Sequence, residues 1–417
     1  MRLVWTHSAD DYASDIGYGV ALPLNRVFYL SDPFADIRPY RDEEVPEVLQ
    51  RLLRSPEFLG AIATLRFGAA ADVAPGLMRM LVSLFLRWEL RKVSDVHTMQ
   101  VVIKRYMDRM ISSSSGSFTV SGLEHLDPQE AFLFMSNHRD IAMDPAFTNY
   151  ALYREGHETA RIAIGDNLLT QPWVSDSMRL NKSFIVKRSL SGPRQLLAAT
   201  KTLSSYIKHS LLEERSPIWI AQREGRAKNG IDQTEPAIIK MLDMCRNRKT
   251  EDFANHIASL KIVPVAISYE LDPCDALKAA ELWELDTQGS YEKGEQEDVA
   301  SIGKGISGNK GRVHVSFGTP LDSALDSPEA VAAQVDQQVI KLYCLHPTNL
   351  YAYRMLYGED EVLPEDIYLE EGDCSRSEFE ERIQAMPEAH RPYALGIYAN
   401  AIISKQALVQ DHNRLAN

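Results

Sequence analysis

The stretch AFLFMSNHRDIAMDPAF, residues 131–147, decides how the rest of the chain is read. Five apolar residues form a short strand that stops abruptly at Asn137–His138, and a helix-compatible segment follows. Outward from it the same alternation repeats. FTVSGLEHL (118–126), ARIAIG (160–165), SFIVKR (183–188), SPIWIAQ (216–222), KIVPVAISYE (261–270) and RVHVSFG (312–318) read as strands. The first of these reads as paired with the 131–138 strand or as a successive strand before it. Helical stretches such as PRQLLAATKTLSSYIKHSLLEE (193–214) lie between them. Alternation of this kind predicts an α/β fold with a mixed sheet flanked by helices. Pro264, inside its strand, predicts an edge or irregular position because it cannot donate to a ladder.

On either side the pattern turns helical. Asp42 caps a helix whose Val45, Val48, Leu49, Leu52 and Leu53 share a face; after Ser327 and Pro328, Val331, Val335, Val339 and Leu342 share another. GLMRMLVSLFLRWELRKV (76–93) is apolar with basic residues interspersed, and reads as a helix packed on the main domain in preference to one lying in a membrane interface. SSSSGS (112–117) reads as a linker, and the acidic, glycine-rich stretch at 284–311 as an irregular excursion. The expected division is a helical region over 1–111, an α/β domain over 112–325 and a helical region over 326–417.

Composition narrows the function classes. The 417 residues carry a net charge of −13, which offers no general attraction to nucleic acid. The four cysteines (Cys245, Cys274, Cys344, Cys374) show no CxxC spacing, which argues against a zinc site or a disulfide framework. The N-terminal residues lack a signal-peptide pattern, and no apolar run reaches the roughly 20 residues of a bilayer span. The expectation is a cytoplasmic protein, with any membrane contact peripheral on the inner face.

His138 stands where a strand of an open α/β sheet ends, the place where ligands usually bind. A neutral histidine there can take a proton from a hydroxyl if a carboxylate orients it, and Asp140 and Asp144 are the nearby candidates. A helix start capped by Asn137, with His138 merely exposed, explains the fragment equally well. Two other strands end in basic clusters, one with Lys187 and Arg188, the other with Arg223, Glu224, Gly225, Arg226 and Lys228. In so acidic a chain, two such clusters predict a local anion pocket, since arginine forks onto phosphate oxygens.

In order and spacing these segments resemble the four blocks of the glycerolipid acyltransferase superfamily, over roughly residues 118–320. The first block, Asn-His then four residues and Asp, appears as Asn137–His138 with Asp144 one residue further on. Asp144 is favoured as the partner because a bulge can absorb one residue; Asp140 is the alternative. Phe184–Ile185 with Lys187–Arg188 is similar to the second block, Glu224–Gly225–Arg226 to the third, with Arg223 replacing the usual proline, and Ile262–Val263–Pro264–Val265 to the fourth.

The resemblance implies an acyltransferase in phospholipid synthesis that takes a fatty acyl group from acyl-CoA or acyl-carrier protein, with no metal or other cofactor. The implied acceptor is a hydroxyl of a phosphate-bearing glycerol, either lysophosphatidate or glycerol-3-phosphate. It implies His138 as general base, an aspartate orienting it, and Asn137, Lys187, Arg188, Arg223, Glu224, Gly225, Arg226 and Lys228 around the substrate. Because the product is a lipid, it also implies contact with a membrane surface. The rival readings are an inactive lipid-binding protein and a lipid thioesterase or hydrolase. No GxSxG elbow occurs, and GKGISGNKG (303–311) fits neither the P-loop nor the dinucleotide spacing and reads as a flexible turn.

Overall fold

In the computed structural model, residues 32–68, 70–294, 297–358 and 368–416 are described. The expected irregular start without a signal pattern, and much of the acidic 357–372 segment, lie outside these residues. The seven strands are β1 (Ser117–Ser121), β2 (Leu133–Ser136), β3 (Arg161–Gly165), β4 (Ser183–Val186), β5 (Ile218–Ala221), β6 (Ile262–Tyr269) and β7 (Arg312–Phe317). They form one mixed sheet in the order β1-β7-β6-β2-β5-β3-β4. From β6 to β4 neighbouring strands are parallel, whereas β7 runs antiparallel to β6, and β1 parallel to β7. The α/β class with helical segments before and after it is as the sequence predicts. β1 and β2 prove to be successive strands separated in the sheet by β7 and β6, so they do not pair.

Side chains alternate between the two faces of a strand, and both faces are covered. Leu133, Met135, Ile218, Ile220 and Ile262 point into one core with Tyr206, Ile207 and Val335; Phe134, Trp219, Val263, Val265 and Ile267 point into another with Phe147 and Val315. All eight residues of β6 are buried, which accounts for its nearly unbroken apolar run. Pro264 therefore sits in an interior strand and not at an edge. Its missing N–H is tolerated because the ladder with β7 begins only at Val265, while the Gly318 N–H donates to the Pro264 carbonyl at 2.8 Å.

The helical segments hold three further corrections. The serine run 112–114 is no linker: it is the last turn of the Val96–Ser114 helix, each hydroxyl bonded to a carbonyl three or four residues back. The stretch 284–311 holds the end of the Asp275–Gln288 helix and the whole Glu297–Ser307 helix, with Gly303 and Gly305 inside the latter. A glycine-poor surface would not fit there, because a Cβ on Gly305 would lie 2.1 Å from Asp140 Oδ2. The Pro75–Glu89 helix buries Val82 and Leu86 against Leu59 and Ala63 of the preceding Pro56–Phe67 helix, not against the sheet. Its other side exposes Leu77, Met80, Leu81, Leu84 and Trp88. Among the described residues no helix is long and apolar enough to cross a membrane.

Val45, Val48, Leu49 and Leu52 of the Val45–Leu52 helix pack together on Leu180, as their spacing predicts. Ser327 caps the Pro328–Leu342 helix through the Ala330 N–H, and Val331, Val335 and Val339 are completely buried.

Candidate active site

β2, β3, β4, β5 and β6 are parallel, so their C-terminal ends share one edge of the sheet, and every candidate residue lies on that edge. His138 follows β2 by two residues. Its Nδ1 lies 2.9 Å from Asp144 Oδ2, in the first turn of the Met143–Arg154 helix. That completely buried carboxylate also receives the N–H groups of Arg139 (2.6 Å) and Asp140 (2.8 Å) and, on Oδ1, the hydroxyl of Tyr269 at 2.7 Å. With donors on every side, Asp144 acts as an acceptor towards the ring, which places the proton on Nδ1 and leaves the Nε2 lone pair unprotonated. The His138 side chain is 14% exposed, and the ring meets Trp219 edge-on at 5.7 Å.

Of the two aspartates, Asp144 is the one bonded to His138. Asp140 turns away: its Oδ1 accepts the N–H groups of Ala142 (3.0 Å) and Met143 (2.9 Å), closing the turn that leads into the following helix. The residue extra to the family spacing is thus taken up in the turn at 140–142, where the strand gives way to the helix, as expected. Burial, with the Asp144 charge beside it, pushes the Asp140 carboxyl above the ordinary range.

The loop bearing His138 is fastened from below by groups that sequence reading did not single out. The buried Arg139 guanidinium pairs with Asp232 (Nη2 to Oδ2, 2.6 Å), donates to the Gly230 carbonyl and lies over the Tyr343 ring. Lys278, 2% exposed, donates to the Arg139 carbonyl at 2.7 Å and pairs with Asp272. No local signal marks Asp232, Tyr269 or Lys278; only their spatial convergence does. Asn137 is fully buried. Its amide bonds the Ile267 N–H (2.8 Å) and carbonyl (3.1 Å) and reaches Asp232, so it ties β2 to β6 and presents no surface to the site.

The basic residues are brought to the same edge. The Ala227 N–H donates to the His138 carbonyl at 2.8 Å, which sets the 223–228 loop directly beside the histidine. Gly225 makes that turn with a φ of +74°. Arg188, following β4, reaches Glu224 at 3.1 Å and joins the two basic clusters. Lys187 lies 3.6 Å from Asp36, Arg223 lies 3.9 Å from Glu235, and Lys228 pairs with Glu281. Arg226 is half-buried and has neither a hydrogen bond nor an ion pair among the described residues. The arrangement can remove a proton from a bound hydroxyl while offering cations to an anion.

A cavity of about 810 Å³ lies elsewhere, at the opposite ends of β3, β4 and β5, near Arg38, Arg161 and Lys182. Its cations are already paired, Arg161 with Glu214, Lys182 with Glu158, and Arg38 with Asp32 and Glu44. Volume alone does not make it the site of reaction. Among the described residues no group of three or more His, Cys, Asp or Glu side chains is placed to hold a metal ion.

Residues 117–268 match the family model described as Acyltransferase. These residues, about a third of the chain, form an acyltransferase domain. No curated protein matches the chain. Among solved structures it is similar to the crystal structure of the 1-acyl-sn-glycerophosphate (LPA) acyltransferase PlsC from Thermotoga maritima. That similarity has a TM-score of 0.35 and 13% identity, over 68% of this chain and 95% of the other.

Proposed function

We propose that the protein transfers a fatty acyl group from acyl-CoA or acyl-carrier protein to a hydroxyl of a phosphate-bearing glycerol, lysophosphatidate or glycerol-3-phosphate. The observation that carries this reading is the His138–Asp144 pair beside two joined basic clusters on one sheet edge. His138 Nε2 takes the proton of the acceptor hydroxyl as its oxygen attacks the thioester carbonyl. Asp144 stabilises the imidazolium that forms, and Asp140 holds the turn between them. Such base catalysis is worth about 100- to 10,000-fold. The thiolate leaving group recovers a proton from His138 as the tetrahedral intermediate collapses.

Arg188, Arg223, Arg226, Lys187 and Lys228 hold the acceptor phosphate. Arg226, whose cation meets no carboxylate, is the first contact, and Glu224 keeps Arg188 aligned. In this reading residues 112–325 carry the reaction, and 1–111 and 326–417 serve it from either side. The exposed apolar side of the Pro75–Glu89 helix, bordered by Arg79 and Arg87, rests on the inner face of a membrane that supplies the acceptor and receives the product.

The test is free-thiol release from long-chain acyl-CoA and from acyl-carrier protein, with lysophosphatidate, glycerol-3-phosphate or no acceptor, for wild type and His138→Ala. Acceptor-dependent release that the variant lacks supports the reading and names the acceptor. Release that needs no acceptor would make the protein a thioesterase.

A further inference from the structure

Away from the sheet edge, four titratable side chains converge beside the Pro193–Leu212 helix. Cys245 ends the short Asp243–Cys245 turn, and its Sγ lies 4.0 Å from Nε2 of His256 in the Phe253–Ser259 helix. The other ring nitrogen of His256 is 3.2 Å from Glu251 Oε2. Lys208 closes the group, with Nζ 3.0 Å from the same Glu251 oxygen and 3.4 Å from His256 Nδ1. The histidine is completely buried and the cysteine half-buried. A thiol, an imidazole and a carboxylate in that sequence is the arrangement that activates a cysteine nucleophile. Nothing in the acyl-transfer reading uses it.

We propose that Cys245 is a modification site, a reactive thiol activated by His256 and Glu251 that takes small electrophiles, with peroxides as the natural class.

The environment of the sulfur fits. Burial raises the Cys245 thiol, but the contacts from His256 and Ser204 outweigh it and bring it below the ordinary value. Burial lowers the His256 ring, but its contacts with Cys245 and the Leu242 carbonyl raise it further. Lys208 opposes protonation of the ring and favours the thiolate; Glu251 offsets Lys208 at the ring. The adjacent Arg246 and Asp243 pair with each other. The other three cysteines differ: burial pushes Cys274 and Cys374 up to about 11 and Cys344 up to about 12. His256 Nε2 lies 3.1 Å from the Leu242 carbonyl and so carries a proton. With the second proton on Nδ1 beside Glu251, the ring stands as the imidazolium that holds Cys245 as the thiolate, and the thiolate attacks one oxygen of a hydroperoxide. The S–O bond forms as the O–O bond breaks, and sulfur gives two electrons to the peroxide. The departing hydroxide (or alkoxide) takes the proton from His256, leaving a cysteine sulfenic acid and water (or an alcohol).

The experiment treats the full chain with a limiting amount of iodoacetamide across a pH series and maps the label by peptide mass. Near neutral pH, Cys245 is expected to react about tenfold or more faster than Cys344 and Cys374, because the thiolate is the reacting form. His256→Gln and Glu251→Gln slow labelling of Cys245 and leave the other two unchanged. Hydrogen peroxide with dimedone, a sulfenic-acid trap, places the adduct at Cys245. The proposal is overturned if wild-type Cys245 reacts no faster than Cys374 or with the pH dependence of an ordinary thiol (half-maximal near about 8.5). Failure of dimedone to mark it overturns the proposal equally. The wild-type profile decides the matter even if a variant does not fold.

Discussion

Lys278 Nζ donates to the carbonyl oxygen of Arg139 over 2.7 Å, so a buried ammonium that follows β6 holds the residue next to His138. The connection continues into the C-terminal helices. Asp272, the partner of Lys278, donates its N–H to Tyr398 Oη at 3.0 Å, and its carbonyl accepts from Arg382 at 2.8 Å. The long Arg391–Ala416 helix also touches the 223–232 loop, because Asn400 donates to the Asn229 carbonyl. Lys278→Met should therefore cost stability and turnover together. Leaving Asp272 buried without its cation costs about 3–5 kcal/mol, and a displaced base lowers turnover by about 100-fold. Urea unfolding and thiol release measure the two. In a His138→Ala background the same change should cost stability alone, because the base it positions is gone.

His138→Ala is expected to lower acceptor-dependent turnover by about 100- to 10,000-fold without unfolding the chain. Asp144→Asn should cost comparably in rate but more in stability, since its carboxylate gathers two backbone N–H groups and the Tyr269 hydroxyl. Tyr269→Phe removes one of those donors alone and should lower turnover by less than Asp144→Asn. Thiol release beside circular dichroism separates rate from folding.

Removal of single cations should act on acceptor affinity. Arg226→Gln and Arg188→Gln are each expected to raise the acceptor KM by about 10- to 100-fold with a smaller change in kcat, the loss of one charge-assisted bond. The donor KM should barely move. Steady-state kinetics with each substrate varied in turn checks this, and an equal loss for both substrates would remove these residues from the phosphate site.

The exposed helix side makes a separate prediction. Leu84→Ser with Trp88→Ser, at positions 59% and 60% exposed, should weaken sedimentation with anionic liposomes while leaving the folded protein as stable as before. Undiminished liposome binding would place the membrane contact elsewhere.

Lys310 sets a pH dependence of stability. Burial pulls its ammonium down to about 8, although its Nζ donates to Ser114 Oγ and to the Ile306 and Gly308 carbonyls. An unfolded lysine titrates near about 10.4, so between these values the folded chain binds fewer protons than the unfolded one. This group's contribution to stability therefore rises with pH through that window. Lys310→Met removes the rise, and its urea midpoint should drop further than that of wild type between about pH 8 and pH 10.

Local order carries the features that were legible in the sequence. Short apolar runs ending in polar residues marked the strands, and a 3.6-residue spacing marked Val45, Val48, Leu49 and Leu52. The same reading put His138 and both basic clusters at strand ends, where parallel strands must gather them once the sheet forms. Other features were settled by neighbours far away in the chain. Tyr269 reaches Asp144 across 125 positions and Lys278 reaches Arg139 across 139, and such pairs exist only after β6 lies beside β2. Which aspartate meets the histidine was decided by the turn at Asp140, and whether Pro264 could sit inside the sheet turned on where the β7 ladder starts. Propensity and periodicity act over a few residues and can be read from the chain. The choice of partner is made by strand order and burial, which the tertiary structure alone supplies.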